Sequence, residues 1–403
     1  MAIHRLPIEI LSEIFLHCST KQDGCKPRLV ATVCRRWRHV ALSTSQLWCN
    51  IHLNAETIEV ESLRSLLVLQ LQRSGQVPLS IVFREPRDTA STLQLLLTVS
   101  QRWQSLDLLI LTASQHELIR TSTSLFPVLK KLTLRNVTSF ELGNLFRPLP
   151  LLEELVLDWL ECPLPSTLPW TRITKCDIYG CSSEEVLNVL HSAPSIVNLS
   201  LYDCHVDNKD LTTITSAIRS LTISHCTSGF ARSFLNHLTV PNLQELVLDL
   251  FRDINALTSL LTRSSSPIAR LILTSVDVSE QELIATLHLT DTLDHLEINW
   301  PSDVHSNTLM EALTILPRSR RAPLLPRLRV LSITGGLSCR DDVLLTMLQS
   351  RCPGLEHVEL YYAGRTFFFD RAFDGLRKIG MKMTVLLDGP VDPFAEEVEE
   401  MGD

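Results

Sequence analysis

The sequence predicts an α/β protein in which a short helical module precedes a curved repeat solenoid, with a parallel sheet on the concave face. Three observations carry this. A pattern L-x-x-L-x-L returns at near-constant spacing from residue 79 onward, helical apolar periodicity marks residues 5–49, and proline sits at one fixed offset before most copies of the pattern. The boundaries that follow are a helical module over residues 1–52, a helical connector over 53–78, the solenoid over 79–388 and an acidic tail over 389–403.

In the module, LPIEILSEIFLHC places Leu6, Ile10, Leu11, Ile14 and Phe15 at helical spacing. Pro7 lies near the first turn, where its missing amide donor costs nothing. A breaker, KQDGCKP, follows. RLVATVCRRWRHVALS then puts Leu29, Val30, Val33, Cys34, Trp37 and Val40 on one stripe, with Arg35, Arg36 and Arg38 largely off it, which predicts a second helix. SQLWCNIHL closes the unit. So few residues in short helices cannot bury all this apolar surface internally, so part of it faces a partner or the solenoid. ETIEVESLRSLLVLQLQRSG from Glu56 reads as a helical, packed connection to the repeats.

The repeat pattern recurs as LKKLTL from Leu129, LEELVL from Leu152, IVNLSL from Ile196, IRSLTI from Ile218, LQELVL from Leu243, IARLIL from Ile268, LDHLEI from Leu293, LRVLSI from Leu328 and LEHVEL from Leu355. Weaker copies begin at Trp103 and Ile173, and PLSIVF from Pro78 can start the series. The second apolar position falls at Leu106, Leu132, Leu155, Cys176, Leu199, Leu221, Leu246, Leu271, Leu296, Leu331 and Val358, mostly 21 to 27 residues apart. That is the period of leucine-rich repeats, each a short strand and a return segment. Alternate strand residues point to opposite faces, so both leucines of L-x-L enter a core that only stacked neighbours can complete.

Pro127, Pro150, Pro194, Pro241, Pro326 and Pro353 each precede the anchor by five residues and mark the turn into the strand. Cys181, Cys204 and Cys226 follow their anchors by five, where small side chains can bond backbone groups in a ladder; Val137, Leu160 and Phe251 take that place elsewhere. Such ladders, and SRCPGLEHVEL from Ser350, resemble the cysteine-containing subfamily of leucine-rich repeats. SEEVLNVLHSAP from Ser183, with a capping serine and a nearby glutamate, and DDVLLTMLQSRC from Asp341 read as convex-side helices. LPRSRRAPLLP, in the long gap before Leu331, reads as an exposed insertion after one helix; its RSRR is either a solvated loop or an import signal.

Strand residues that point away from the core line the concave face and are the candidate substrate-binding set. By this register they are Lys131, Thr133, Arg135, Glu154, Asp158, Lys175, Asp177, Tyr179, Tyr202, Glu245, Asp249, Arg270, Glu297, Asn299, Glu359 and Tyr361. From Glu245 onward acids outnumber bases, which suits a basic or amphipathic segment of a partner; the same charge also serves a merely solvated sheet face.

Composition narrows the function classes. At 403 residues, 45% apolar and 20% charged, the chain is folded and large enough for several domains or an array. No apolar run is long enough for a membrane span, and MAIHRLPIEI lacks a secretory pattern, so a reducing compartment, cytoplasm and/or nucleus, is expected. Eleven cysteines without a CxxC pair argue against structural zinc, and no metal or other cofactor is expected. A net charge of -8 and the tail EEVEEMGD disfavour nucleic acid as the main partner. No phosphate cradle of the GxxxxGK[ST] or GxGxxG kind occurs, and Cys49 and His52 lack any nucleophile signature, so the expectation is a protein-binding chain and not an enzyme.

LPIEILSEIF and VATVCRRWRHVA, with Leu47 and Trp48 behind them, resemble the F-box; followed by irregular leucine-rich repeats, the whole is similar to F-box-like proteins of fungal type. The resemblance implies a substrate-recognition subunit of an SCF-type ubiquitin ligase, with the F-box on the Skp adaptor, a cullin-RING core beyond it, and a protein substrate on the repeats. It implies adaptor contacts drawn from Leu6, Pro7, Ile10, Leu11, Ile14, Phe15, Val33, Cys34, Trp37 and Trp48, although the same side chains also suit the module's own core. A scaffold or recognition receptor not coupled to ubiquitination is the alternative.

Overall fold

Pairs of leucines two residues apart favour strands here because they share one face, while a parallel neighbour completes the backbone ladder. In the computed structural model, residues 6–19, 27–54, 60–84, 90–109, 113–122, 125–135, 149–158, 168–207, 211–275, 277–305, 307–316, 322–361 and 370–386 are described. The RSRR segment, the acidic tail, Val137 and Leu160 lie outside them, as does the side chain of Tyr361. The chain divides into two compact units, Met1–Cys176 and Asp177–Asp403.

The first unit opens with α1 (Ile8–Ser19), α2 (Pro27–Val33), α3 (Arg35–Ser43) and a 3₁₀ turn at Ser45–Trp48, then β1 (Asn50–Asn54) and α4 (Val60–Arg73). β2 (Leu79–Arg84), β3 (Trp103–Leu109), β4 (Lys131–Arg135) and β5 (Glu154–Asp158) follow, with helices Ala90–Leu97 and Ala113–Thr121 in the return segments; β6 (Lys175–Tyr179) spans the division. β1 to β5 pair in parallel and in chain order, and the anchors align residue for residue: Ile81 with Leu106, Leu106 with Leu132, Leu132 with Leu155.

In the second unit come β7 (Asn198–Tyr202), β8 (Ile214–Thr215), β9 (Ser220–Ser224), β10 (Leu238–Thr239), β11 (Glu245–Asp249), β12 (Arg270–Thr274), β13 (His295–His305), β14 (Val330–Ser338), β15 (His357–Tyr361) and β16 (Lys382–Leu386). β8 and β10 form a separate parallel pair. The rest stack in chain order, with Leu199, Leu221, Leu246, Leu271, Leu296, Leu331 and Val358 successive partners. All of these anchors are buried.

The fixed prolines have a local cause. Pro127, Pro150, Pro194, Pro241 and Pro326 each occupy the second position of a turn closed by Leu129 N–H to Phe126 O (3.4 Å), Leu152 to Leu149 (3.5 Å), Ile196 to Ala193 (3.3 Å), Leu243 to Val240 (3.1 Å) and Leu328 to Leu325 (3.2 Å). Proline's fixed φ suits that position, and its missing N–H is not needed there. At Pro353, whose preceding peptide bond is cis, the closing bond runs from Leu355 to Arg351.

A second periodic device escaped the pattern. The residue after each strand from β6 to β12, except the short β8 and β10, has positive φ: Gly180 (71°), Asp203 (52°), His225 (54°), Leu250 (54°) and Ser275 (52°). Each lies four residues beyond its anchor. The left-handed turn lifts the chain out of the sheet while Gly180, Asp203 and Leu250 still donate across it, to Tyr202 O, Ser224 O and Thr274 O. Glycine and aspartate adopt this conformation readily; an exposed leucine does so against its Cβ. Leu250→Asn is therefore expected to raise stability by about 1 kcal/mol, read as a higher denaturation midpoint with an unchanged slope.

Several expectations need correction. The predicted second helix is two helices, because Cys34 takes an extended conformation and caps α3, its Sγ accepting from Trp37 N–H at 3.4 Å. In SEEVLNVLHSAP the capping serine is Ser182, in a reciprocal box with Glu185, while Ser183 is buried in the first turn of helix Ser183–Ser192. Thr133, assigned outward, is buried. Of the long insertion, Leu316 is exposed but Leu324 and Leu325 are buried, and β13 with helix Asn307–Leu313 occupies much of the gap. The strands β1 and β16 at the two ends match no copy of the pattern. Helix Asp341–Arg351 forms where expected.

Candidate functional site

The N-terminal helices close on a small interior of Leu11, Phe15, Val30, Val40, Ala41, Leu47 and Trp48, with Leu6, Ile14, Leu16, Ala31 and Trp37 packed at its edge. Phe15 meets Trp37 with ring centroids 4.9 Å apart. Thr44 ties α3 to α1 through Ser12 Oγ (3.2 Å), and Arg36 donates to Leu6 O. Trp48 Nε1–H donates to Ala41 O at 2.8 Å, and Arg73 of α4 lies over its ring, 4.5 Å from the centroid. Gln70 of α4 donates to Asn50 O at 2.7 Å, so the connector is packed as expected.

With that interior closed, large apolar side chains remain outside it: Ile8 and Ile10 on α1, Leu29 and Val33 on α2, each between 45% and 59% exposed. On α2 the two faces divide within the helix, Val30 going inward while Leu29 and Val33 do not. Large apolar surface left on a module that has already filled its core marks a place for a partner.

Residues 3–54 match the F-box-like family model. This segment is an F-box-like domain. F-box domains generally mediate binding to the Skp adaptor of SCF ubiquitin ligases. No curated protein matches the chain. Within the F-box-like domain the ten residues expected at the adaptor separate into three groups. Leu11, Phe15 and Trp48 are interior; Leu6, Ile14, Cys34 and Trp37 are half-buried; Pro7, Ile10 and Val33 are exposed. Ile8 and Leu29, absent from that set, share the exposed surface. Helical spacing alone did not separate them, because both faces of short helices carried apolar residues.

On the outward strand faces, Lys131, Arg135, Glu154, Asp158, Asp177, Tyr179, Tyr202, Glu245, Asp249, Glu297, Asn299 and Glu359 are all half-buried between neighbouring strands. In the first unit the charges pair off. Arg84 reaches Asp107 (2.7 Å), and Arg135 bridges Asp107 (3.3 Å) and Asp158 (2.6 Å); Lys131 lies 3.6 Å from Glu154. Burial alone would lower the Arg135 guanidinium, but Asp107 and Asp158 outweigh it and raise its pKa.

In the second unit the acids are met largely by hydroxyls. Asp249 accepts from Thr274 Oγ1 (2.6 Å), Ser224 Oγ (2.9 Å) and Leu250 N–H (3.0 Å), with His225 Nε2 at 3.6 Å. Glu245 accepts from Ser220 Oγ (3.0 Å) and lies 3.5 Å from Arg270; Glu359 accepts from Ser332 Oγ (3.4 Å). Glu297 lies 3.8 Å from His295, whose pKa is lowered by burial. Tyr179 and Tyr202 stack with centroids 4.5 Å apart and planes 16° from parallel.

Behind this face the cysteine ladder is real. Cys181, Cys204 and Cys226 are buried, Cys204 N–H donates to Cys226 Sγ (3.3 Å), and Cys226 Sγ–H reaches Ser224 O (3.3 Å). Hydrogen bonding with Cys204, then burial, pushes the Cys226 thiol up, so it serves as a packed donor and not as a nucleophile.

Proposed function

We propose that this chain is the substrate-recognition subunit of an SCF-type ubiquitin ligase, working in the cytoplasm and/or nucleus. Its F-box-like domain docks on the Skp adaptor, and its strands form a leucine-rich-repeat array whose outward, concave side holds a protein substrate. The chain catalyses nothing itself; the cullin-RING core supplies the transfer of ubiquitin. One observation carries the reading: an F-box-like domain with a complete interior still leaves Ile8, Ile10, Leu29 and Val33 exposed. Exposed apolar side chains on a rigid helical frame are the usual anchors of a protein interface, where few residues carry most of the affinity.

The test is adaptor capture by purified chain. Ile10→Glu and Val33→Glu are each expected to weaken Skp binding about thirtyfold or more, because each buries a charge in an apolar contact. Their melting temperatures should stay within a degree or so of the parent, since neither side chain belongs to the interior. Undiminished capture by both variants refutes the docking surface. Capture of adaptor and cullin without ubiquitin transfer to any bound partner would instead favour an F-box scaffold.

A further inference from the structure

We propose that Val247, Ile272 and Leu250, on and just beyond β11 and β12, form a seat for an extended segment of the bound protein that carries aliphatic side chains next to a lysine or arginine. This rests on the reading of the outward face as the substrate-binding surface and names the class of segment it selects. From β7 to β14 the middle outward position runs Ser200, Thr222, Val247, Ile272, Glu297 and Ser332, paired in that order. The row is polar or charged except at the adjacent Val247 and Ile272, both half-buried. Solubility alone would favour the hydroxyl or carboxylate that the neighbouring repeats carry there.

Leu250 adds to the pair. Alternation along β11 would turn it inward after Leu246 and Leu248, but its left-handed φ of 54° turns it out, 45% exposed. Its N–H donates to Thr274 O (3.1 Å), which holds it at the end of β12, two residues on from the Ile272 position. The equivalent places in the other repeats hold Gly180, Asp203, His225 and Ser275, none of them aliphatic. A single exposed leucine is ordinary. One kept in a conformation that opposes its Cβ, beside the apolar break in a polar row, is a stability cost that a binding role accounts for.

The rim of the seat supplies the charge. Glu245 and Asp249 bracket Val247 along β11, and Glu297 is the partner of Ile272 on β13. Glu245 has Arg270 at 3.5 Å. Asp249 is met by the hydroxyls of Ser224 and Thr274, neutral donors that leave its negative charge in place. Glu297 lies 3.8 Å from His295, which burial holds neutral at physiological pH. The patch is therefore apolar at its centre and negative at its edge, so a cation brought by the partner is attracted and an acidic segment is repelled. A second copy of the same face is disfavoured, since it would set acid against acid. Val247 and Leu250 stand roughly 10 Å apart along the sheet, a span that an extended stretch of about three residues covers. A small apolar centre inside a polar rim is the arrangement in which protein interfaces concentrate their affinity.

The experiment pans a random-peptide display library against the intact chain and measures the selected synthetic peptides by fluorescence anisotropy. The expected result is a shared motif of aliphatic residues with a neighbouring lysine or arginine, in which alanine at an aliphatic position or glutamate at the basic one weakens binding about tenfold. Leu250→Asn should lower peptide affinity about tenfold while it raises the denaturation midpoint, opposite changes that a loss of folding cannot produce. Val247→Thr, which keeps the branched shape, and Glu297→Gln should each lower affinity about fivefold. Selection of no peptide, selected peptides without the motif, or parent-like affinity in Leu250→Asn would each overturn the proposal. Skp capture is measured on the same preparations. Its loss with motif-dependent peptide binding intact counts against the ligase reading alone, and its retention without such binding counts against this inference alone.

Discussion

Replacing Arg351 with methionine is expected to destabilise the protein by about 2 kcal/mol. Arg351 closes helix Asp341–Arg351, is 4% exposed, and donates from Nε to Leu313 O (2.6 Å), from Nη1 to Leu325 O (2.9 Å) and from Nη2 to Leu324 O. Leu313 ends helix Asn307–Leu313, and Leu325 begins the turn into β14 with φ 49°, so the guanidinium satisfies carbonyls that no regular ladder reaches. Burial lowers its pKa to about 10, which leaves it charged at neutral pH.

Because that value lies below the unfolded one, the unfolded chain binds the proton more tightly, and this group favours folding progressively as pH rises above about 10. Methionine would relieve the buried charge, worth about 3 kcal/mol by that shift, but strand the Leu313 and Leu324 carbonyls at about 2–3 kcal/mol each, Leu325 O keeping its turn bond from Leu328 N–H. The second effect is the larger. Arg351→Lys should recover little, since one ammonium cannot span three acceptors. Denaturant unfolding gives the magnitude, and hydrogen exchange should quicken first in helices Asn307–Leu313 and Asp341–Arg351. An unchanged midpoint would show that the carbonyls find other donors.

Trp48→Ala is expected to cost about 3–5 kcal/mol and to loosen the F-box-like domain as a whole. The indole is 2% exposed, donates to Ala41 O, receives Arg73 over its ring and stands next to β1, so its loss opens a cavity between the helices and the first strand. Trp48→Phe keeps most of the packing and loses the Nε1 bond, which should cost about 1–2 kcal/mol. Adaptor binding should fall in Trp48→Ala in step with folding, unlike Ile10→Glu, where it falls with folding intact. A Trp48→Ala variant that melts like the parent would place Trp48 outside the structural core.

The repeat register was legible because its cause is local. Each L-x-L must face one interior, and a shift by one residue would expose every leucine, so the anchors read from spacing became partners in the sheet. The prolines were legible because their fixed φ belongs to one turn position. β1 and β16 were not, because NIHLN and KMTVL gain their strand character from the neighbours they pair with, Leu79–Arg84 and His357–Tyr361. The left-handed positions escaped for a related reason: Gly180, Asp203, His225, Leu250 and Ser275 share a conformation but no chemistry.

The sequence by itself determined the order of the elements, the faces of the strands and the presence of an F-box-like module, since periodicity and turn chemistry act over a few residues. Only the tertiary structure decided which apolar residues of that module are interior, that Cys34 divides its second helix, and which outward acids are already satisfied. Those outcomes depend on side chains distant in sequence: Ser224 and Thr274 meet Asp249, while among the described residues none donates to the buried Asp177 Oδ1. Burial and hydrogen-bond satisfaction are properties of the packed neighbourhood, which no pattern along the chain contains.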